Sequence, residues 1–196
     1  MENPPPLILG STSRYRRDLL QRLRIPFSVV SPQVDEAALA GESPAALALR
    51  LALEKARAVG KMNPDAIVIG ADQVADLNGE AIGKPGDHPH ATAQLRRMSG
   101  REVVFQTALA VLHLRSGFEQ VALAPVRVRF RALSDAEIER YLNLEQPYDC
   151  AGSAKVETLG IALLTAVESD DPTALVGLPL IRLCGMLRQA GLDPLA

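Results

Sequence analysis

Six polar residues stand where packing alone does not ask for them: Ser13, Arg16, Glu36, Lys55, Asp72 and Lys84. The set holds two carboxylates and three cations beside a hydroxyl. Metal-assisted attack of water on a phosphoanhydride needs such groups. Cations and a metal offset the phosphate charge, while a carboxylate orients or deprotonates the water. Spacing alone does not prove that the six converge, so each is weighed in its own local setting.

The start of the chain is the clearest of these settings. Leu7-Ile8-Leu9 breaks at Gly10 into Ser11-Thr12-Ser13, and an arginine-rich helical pattern follows. A strand, a turn and a helix start in series leave unpaired backbone amides at the helix N-terminus, where an anion can sit. Ser11 and Ser13 add hydroxyl donors, and Arg16 or Arg17 can grip phosphate oxygens with a planar fork. The glycine spacing and Gly-Lys-Ser/Thr ending of a Walker loop are absent. The alternative is an ordinary capped helix with a solvated basic face.

Asp72 follows the apolar strand Ala66-Ile67-Val68-Ile69, read as ending at Gly70-Ala71-Asp72-Gln73. A carboxylate just beyond such a strand end can hold a divalent cation or act as a general base. Lys55 continues the row Leu47, Leu51, Lys55, Ala58 on a helix opened by Ser43-Pro44, so it must either snorkel to water or meet an anion. Gly83-Lys84-Pro85 restricts the backbone on both sides of one ammonium. Glu36 sits in the polar loop Ser31–Glu36 before the long helix and is the weakest of the six.

The elements that must position these groups alternate between strand and helix. Short strands are expected at 27–30 and 66–69, and a hairpin over Val74–Ile82 turning at Asn78-Gly79. A helix is expected from about His90 to Ser99. Long β segments run over 103–114 and 120–130, joined through Ser116-Gly117. Ser134-Asp135-Ala136-Glu137 is a capping box. A β-like stretch covers 160–167, and a last helix runs from Pro179 to Ala190. The mixture points to a single α/β domain, 1–196, with a mixed sheet. With 47% hydrophobic and 22% charged residues, the 196-residue chain has the composition of a soluble globular protein. A net charge of -2 argues against a general nucleic-acid binder. Cys150 and Cys184 lack metal-ligand spacing and read as reduced thiols. Met1–Pro6 carries no signal-peptide features and no apolar run is long enough to span a bilayer, so a cytoplasmic location is expected.

Gly10-Ser11-Thr12-Ser13-x-x-Arg16-Arg17, Val34-Asp35-Glu36, Leu53-Glu54-Lys55-Ala56, Gly70-Ala71-Asp72-Gln73-Val74 and Gly83-Lys84-Pro85 follow one another as they do in the Maf family. So do Ala151-Gly152-Ser153, Gly160-Ile161-Ala162 and Val176-Gly177-Leu178-Pro179-Leu180. The chain resembles that family over nearly its whole length. The resemblance implies an elongated, strongly twisted mixed sheet with helices on its faces and a cleft between two lobes, similar to the inosine triphosphate pyrophosphatases. It also implies a homodimeric nucleoside triphosphate pyrophosphatase that cuts between the α and β phosphates with a divalent metal (Mg2+, Mn2+ or Co2+). Asp72 is then the proton acceptor or a metal ligand with Glu36. Ser11, Ser13, Arg16, Lys55 and Lys84 line the phosphates. Arg14 departs from the pattern, since relatives usually carry proline there.

Tyr15, Gln73 and Glu157 stand where the branch acting on 7-methyl-GTP has an aromatic, a Gln and a Glu. The dTTP/UTP branch has an arginine, a threonine and a glutamine there. Methylation at N7 leaves a positive charge on guanine, which an aromatic face attracts. A carboxylate can accept from guanine N1–H and its exocyclic amine, a donor pair that uracil and thymine lack. The nucleotide is thus the expected partner, with no membrane and no stable nucleic-acid partner. The alternatives are a pyrophosphatase for UTP, dTTP or another non-standard nucleotide, a nucleic-acid-binding module built on Arg14–Arg24, and a regulator of cell division.

Overall fold

The computed structural model describes residues 4–196; Met1–Asn3, the start of the segment read above for leader features, lie outside them. Seven strands form one sheet in the order β2–β1–β3–β5–β6–β7, with β4 paired to β3. β1 (Leu7–Gly10) pairs in parallel with β2 (Phe27–Val29) and with β3 (Ile67–Leu77). β4 (Glu80–Ile82), β5 (Glu102–His113), β6 (Phe118–Phe130) and β7 (Leu164–Glu168) continue it antiparallel. Parallel pairs need crossover helices, which α1 (Arg14–Gln21) and α2 (Pro44–Met62) provide, whereas hairpins join β3 to β4 and β5 to β6 in the antiparallel part. The α/β class with a mixed sheet is as expected.

The two-residue period of a strand divides the core into layers. On β3, Ile67, Ile69 and Ala71 face α1 and α5 (Leu180–Gln189), together with Leu9, Leu109 and Val111. Val68 and Val74 face the opposite way, onto Ala48, Leu51, Ala52, Ala56 and Val59 of α2. Ala75 and Leu77, further along the same strand, enter a separate cluster with α3 (His88–Met98), α4 (Asp135–Glu145) and Phe105. The long strands therefore carry two lobes on one sheet, with a cleft between them. No described helix is long and apolar enough to cross a membrane.

Local chemistry explains most boundaries. Ser13, Ser43, Asp87 and Ser134 cap the first four helices through side-chain oxygens that accept from first-turn amides. Asp87 moves the start of α3 to His88, two residues before the expected position. Asn78 and Gly79 both take positive φ (56° and 88°), as the expected two-residue hairpin requires. The stretch expected to be β from Gly160 is instead a 3-10 turn over Leu159–Leu163 before β7 begins. The amide of Gly160 bonds to Lys155 O, and a Cβ there would lie 2.4 Å from that oxygen, so the chain folds back before it can extend.

Gly10 and Gly70 are register partners on adjacent strands. A Cβ on Gly70 would lie 2.1 Å from Ala52 O and 2.7 Å from Ala56 N; one on Gly10 would lie 3.4 Å from Lys55 O. This paired absence of side chains lets the α2 backbone descend onto the sheet between Ala52 and Ala56. Gly70→Ala should therefore destabilise the fold by about 3 kcal/mol or more, since backbone must move. Gly83→Ala, whose Cβ would meet nothing within 4 Å, should stay within about 0.5 kcal/mol of the parent. Urea denaturation measures both, and matching midpoints for the two variants would refute the packing argument.

Candidate active site

One part of the cleft begins where β1 stops. Ser11 is buried, and its Oγ accepts from Ser13 N (3.2 Å) and from Arg16 Nη1 (3.3 Å). Ser13 Oγ caps α1 by accepting from Arg16 N, which leaves its own proton to donate. The amides of Arg14 and Tyr15 open the first turn and have no intrahelical acceptor. Arg16 is held at its other side by Gly177 O, which accepts from Nε at 3.0 Å. Burial lowers the basicity of this guanidinium while Asp72 and Glu36 raise it, and an arginine remains charged under such shifts. A cation fixed at two points, beside a capped helix start, is suited to phosphate oxygens.

Lys55 does not snorkel. Its Nζ lies 2.6 Å from Asp72 Oδ1 and 2.6 Å from Glu36 Oε1, with the lysine itself 5% exposed. Burial works against the charge on Glu36, but the hydrogen bond and attraction of Lys55, with Lys84 and Arg16, hold its carboxyl below the ordinary range. The sequence reading of Asp72 needs a correction: it is not beyond a strand end but is the sixth of eleven residues in β3. Gly70, which suggested the break, instead makes room for α2. Asp72 pairs in register with Ala108 and so faces α2, which is why Lys55 reaches it. The stripe on α2 passes from Lys55 to Ala56 and Val59, with Ala58 only half-buried.

Two carboxylates meeting at one point are hard oxygen donors of the kind that magnesium and manganese accept. The described residues contain no cluster of three or more His, Cys, Asp or Glu side chains that could hold a metal alone. Glu36 and Asp72 therefore fit a cation that shares its coordination with a phosphorylated ligand. Asp72 Oδ2 has no protein hydrogen-bond partner among the described residues. Lys84 lines the same cleft from the loop after β4, exposed and without a hydrogen-bonded partner among the described residues. That loop is tied to the second lobe, since Gly83 O accepts from Gly152 N and Gly86 N donates to Tyr148 O.

Tyr15, Gln73 and Glu157 line the same cleft, whose volume is about 690 Å³. The residues singled out from the sequence line it except Asp72, which lies beneath it in contact with Lys55, and Arg17, which is exposed beside Asp18, so that Arg16 is the arginine of the pair that reaches the cleft. Gln73 follows Asp72 on the strand and so points to the opposite face of the sheet. There its Nε2 meets Thr107 Oγ1 (2.9 Å), Leu175 O (3.0 Å) and Ala174 O (3.1 Å), and Thr107 Oγ1 donates in turn to Ala174 O. The amide nitrogen is committed to the protein, which leaves the carbonyl oxygen as a fixed acceptor. Glu157 accepts no side-chain hydrogen bond from another described residue. Burial raises its carboxyl above the ordinary range, and Glu145 and Asp149 add to this against Lys155.

Several contributors were missed in the sequence. Thr107, a polar residue inside an apolar strand, carried a readable signal. Asp171 is almost fully buried and accepts from Thr173 N, Thr173 Oγ1 and Ile181 N, bracing the loop whose carbonyls hold Gln73 and Arg16. Tyr148, Asp149 and Cys150 enter the cleft from the loop after α4 and carried no signal of their own.

Comparison with known proteins agrees with this geometry. A 7-methyl-GTP pyrophosphatase of Polaromonas sp. is 67% identical over 95% of this chain and 85% of its own length. Proteins of the same name from Albidiferax ferrireducens and Cupriavidus metallidurans are 62% and 61% identical. These cover 96% and 95% of this chain, and 95% and 94% of the relatives. The family model described as Maf-like protein matches residues 6–190, a span that takes in every element lining the cleft. The chain belongs to the Maf-like protein family.

Proposed function

We propose that the protein is a nucleoside triphosphate pyrophosphatase that hydrolyses 7-methyl-GTP to 7-methyl-GMP and pyrophosphate. The observation that carries this reading is one cleft lined by two chemically distinct groupings. Arg16, Lys55 and Lys84 gather around Glu36, while Tyr15 and Glu157 both stand near Asp149, and Gln73 lines the same cleft; we take the first as the phosphate end and the second as the base end. The name shared by relatives 61–67% identical to this chain supports the same substrate.

At the phosphate end, Arg16, Lys84 and the first-turn amides of α1 bind the triphosphate and orient it. Glu36 and Asp72 would hold a divalent cation, Mg2+, Mn2+ or Co2+, together with phosphate oxygens. Such a cation offsets the charge that builds on the phosphates when it is bound. Lys55 holds Asp72 by Oδ1, leaving Oδ2 to take a proton from the water that attacks the α phosphorus. The new bond joins water oxygen to the α phosphorus. The bond from that phosphorus to the α–β bridging oxygen breaks, and pyrophosphate leaves with the electron pair. Arg16 and Lys84 stabilise the charge that develops on the leaving group.

At the base end, Glu157 and Gln73 Oε1 are acceptors that take no hydrogen bond from the side chain of another described residue. Guanine offers N1–H and an exocyclic amine to such acceptors, whereas uracil and thymine offer one N–H between two carbonyls. The Tyr15 ring is attracted to a cationic base by roughly 0.5–2 kcal/mol. Burial first, with Glu145 and Asp149 beside it, makes Glu157 costly to ionise, so a cationic ring that pairs with it returns part of that cost.

Pyrophosphate release with magnesium or manganese should be faster for 7-methyl-GTP than for GTP, UTP or dTTP. Asp72→Asn should lower the rate by about 100-fold or more. Tyr15→Ala and Glu157→Gln should each reduce the preference for 7-methyl-GTP over GTP by about tenfold. Faster cleavage of UTP or dTTP would overturn the base assignment, and no turnover of any of them would overturn the enzyme reading. Because the Glu157 carboxyl is raised, it takes up a proton at a higher pH than a free glutamate. The 7-methyl preference should then decline on acidification from a midpoint above the usual carboxyl range, and Glu157→Gln should flatten that profile. Lys55→Met strands Asp72 as a buried charge without its partner and should cost about 3–5 kcal/mol. Asp72→Asn retains an acceptor for Lys55 and should cost less, an order that urea denaturation in metal-free buffer reads directly.

A further inference from the structure

Asp149 faces the base end of the cleft from the second lobe, and its surroundings come from both lobes. Its two carboxylate oxygens each lie 3.3 Å from the Tyr15 hydroxyl, and Oδ2 lies 3.7 Å from Arg14 Nη2. Arg14 also donates to the Tyr15 hydroxyl at 2.7 Å, and its guanidinium carbon stands 4.8 Å from the ring centroid. Tyr15 thus has a cation over one face and an anion at its hydroxyl edge. Arg14 and Asp149 are both more than half exposed, so their pairing is loose and each still projects its charge into the cleft.

We propose that Asp149, opposed by Arg14, is a further specificity-determining residue that sets how strongly the cleft prefers a positively charged nucleobase. The proposal rests on the base-end reading above and extends it to two residues outside the Tyr15, Gln73 and Glu157 set. Three neighbours register the field of Asp149. Burial is the main reason that the Tyr15 hydroxyl, the Cys150 thiol (pushed up to about 12) and the Glu157 carboxyl all stand above their ordinary values, and Asp149 raises all three further. A site where one carboxylate disfavours negative charge on every neighbour favours a ligand that brings positive charge. A neutral purine displaces water from Asp149 and returns no charge, whereas an N7-methylated purine does. Arg14 acts in the opposite sense, because it neutralises Asp149 and repels a cationic ring beyond Tyr15.

The two signs give the test. Binding of 7-methyl-GMP and of GMP to the full chain is measured by titration calorimetry for the wild type, Asp149→Asn and Arg14→Gln, so the comparison does not depend on turnover. Asp149→Asn should lower the preference for 7-methyl-GMP about fivefold, the size of one partly exposed charge pair, and Arg14→Gln should raise it by a similar factor. If the two residues only hold the Tyr15 ring in place, both variants weaken both nucleotides alike, and the proposal is overturned. A wild-type preference that survives intact in Asp149→Asn also overturns it, while leaving the base reading to Glu157. A wild type that binds the two nucleotides equally overturns the base reading, and the role of Asp149 with it.

Discussion

The site depends on one ammonium held between two carboxylates under a helix. Lys55, Asp72 and Glu36 meet at 2.6 Å, with the lysine and Asp72 almost fully buried. Removing two charges from water is unfavourable by several kcal/mol per ion, and their attraction repays this only with close geometry. Apolar residues of similar volume would pack there without that penalty, so stability does not account for the cluster. The proposed triphosphate and cation would account for it. Lys55 holds the two carboxylates at one point, and under that proposal the same lysine would face the phosphates.

Close approach of α2 to the sheet is what places that lysine. Gly10 and Gly70 lie side by side on β1 and β3, and the helix backbone at Ala52, Lys55 and Ala56 rests on them. Asp72 is two residues beyond Gly70 on the same face, and Ser11 follows Gly10 directly. The packing that builds the core therefore also sets the distance from the lysine to the carboxylate. Dense interiors transmit small volume changes, so a methyl group at Gly70 reaches the site through the helix.

The base end is assembled differently, from loops that cross between lobes. Gln73 is fixed by the carbonyls of Ala174 and Leu175, which Asp171 braces from within the same loop. Arg16 borrows Gly177 O from that loop, so Arg16 and Gln73, the proposed phosphate and base contacts, share one support. Tyr15 belongs to the first lobe and reaches Asp149 of the second. Neutral groups with committed donors, beside carboxylates that lack them, make this end a set of acceptors. A purine that carries both donors and positive charge is its natural complement.

Residue type and order were enough to find the fold class, the capped helices, the Asn78-Gly79 hairpin and the cleft residues Ser11, Ser13, Tyr15, Arg16, Glu36, Lys55, Gln73, Lys84 and Glu157, because these depend on local preference and on motifs that keep their sequence spacing. Ser43-Pro44 and Ser134–Glu137 are legible for that reason: their hydrogen bonds close within one turn. Gly70 misled, since a glycine reads as a break from sequence, although here it serves contact between layers and lets β3 run on through Asp72. Whether Lys55 reached water or an anion was open until α2 was laid on the sheet, a matter of packing over 17 residues of separation. Asp149 had no signal at all, because what singles it out is a tyrosine 134 positions earlier. Local chemistry was written in the chain; the distances between charges belong to the tertiary structure, since only packing brings remote residues within reach of one another.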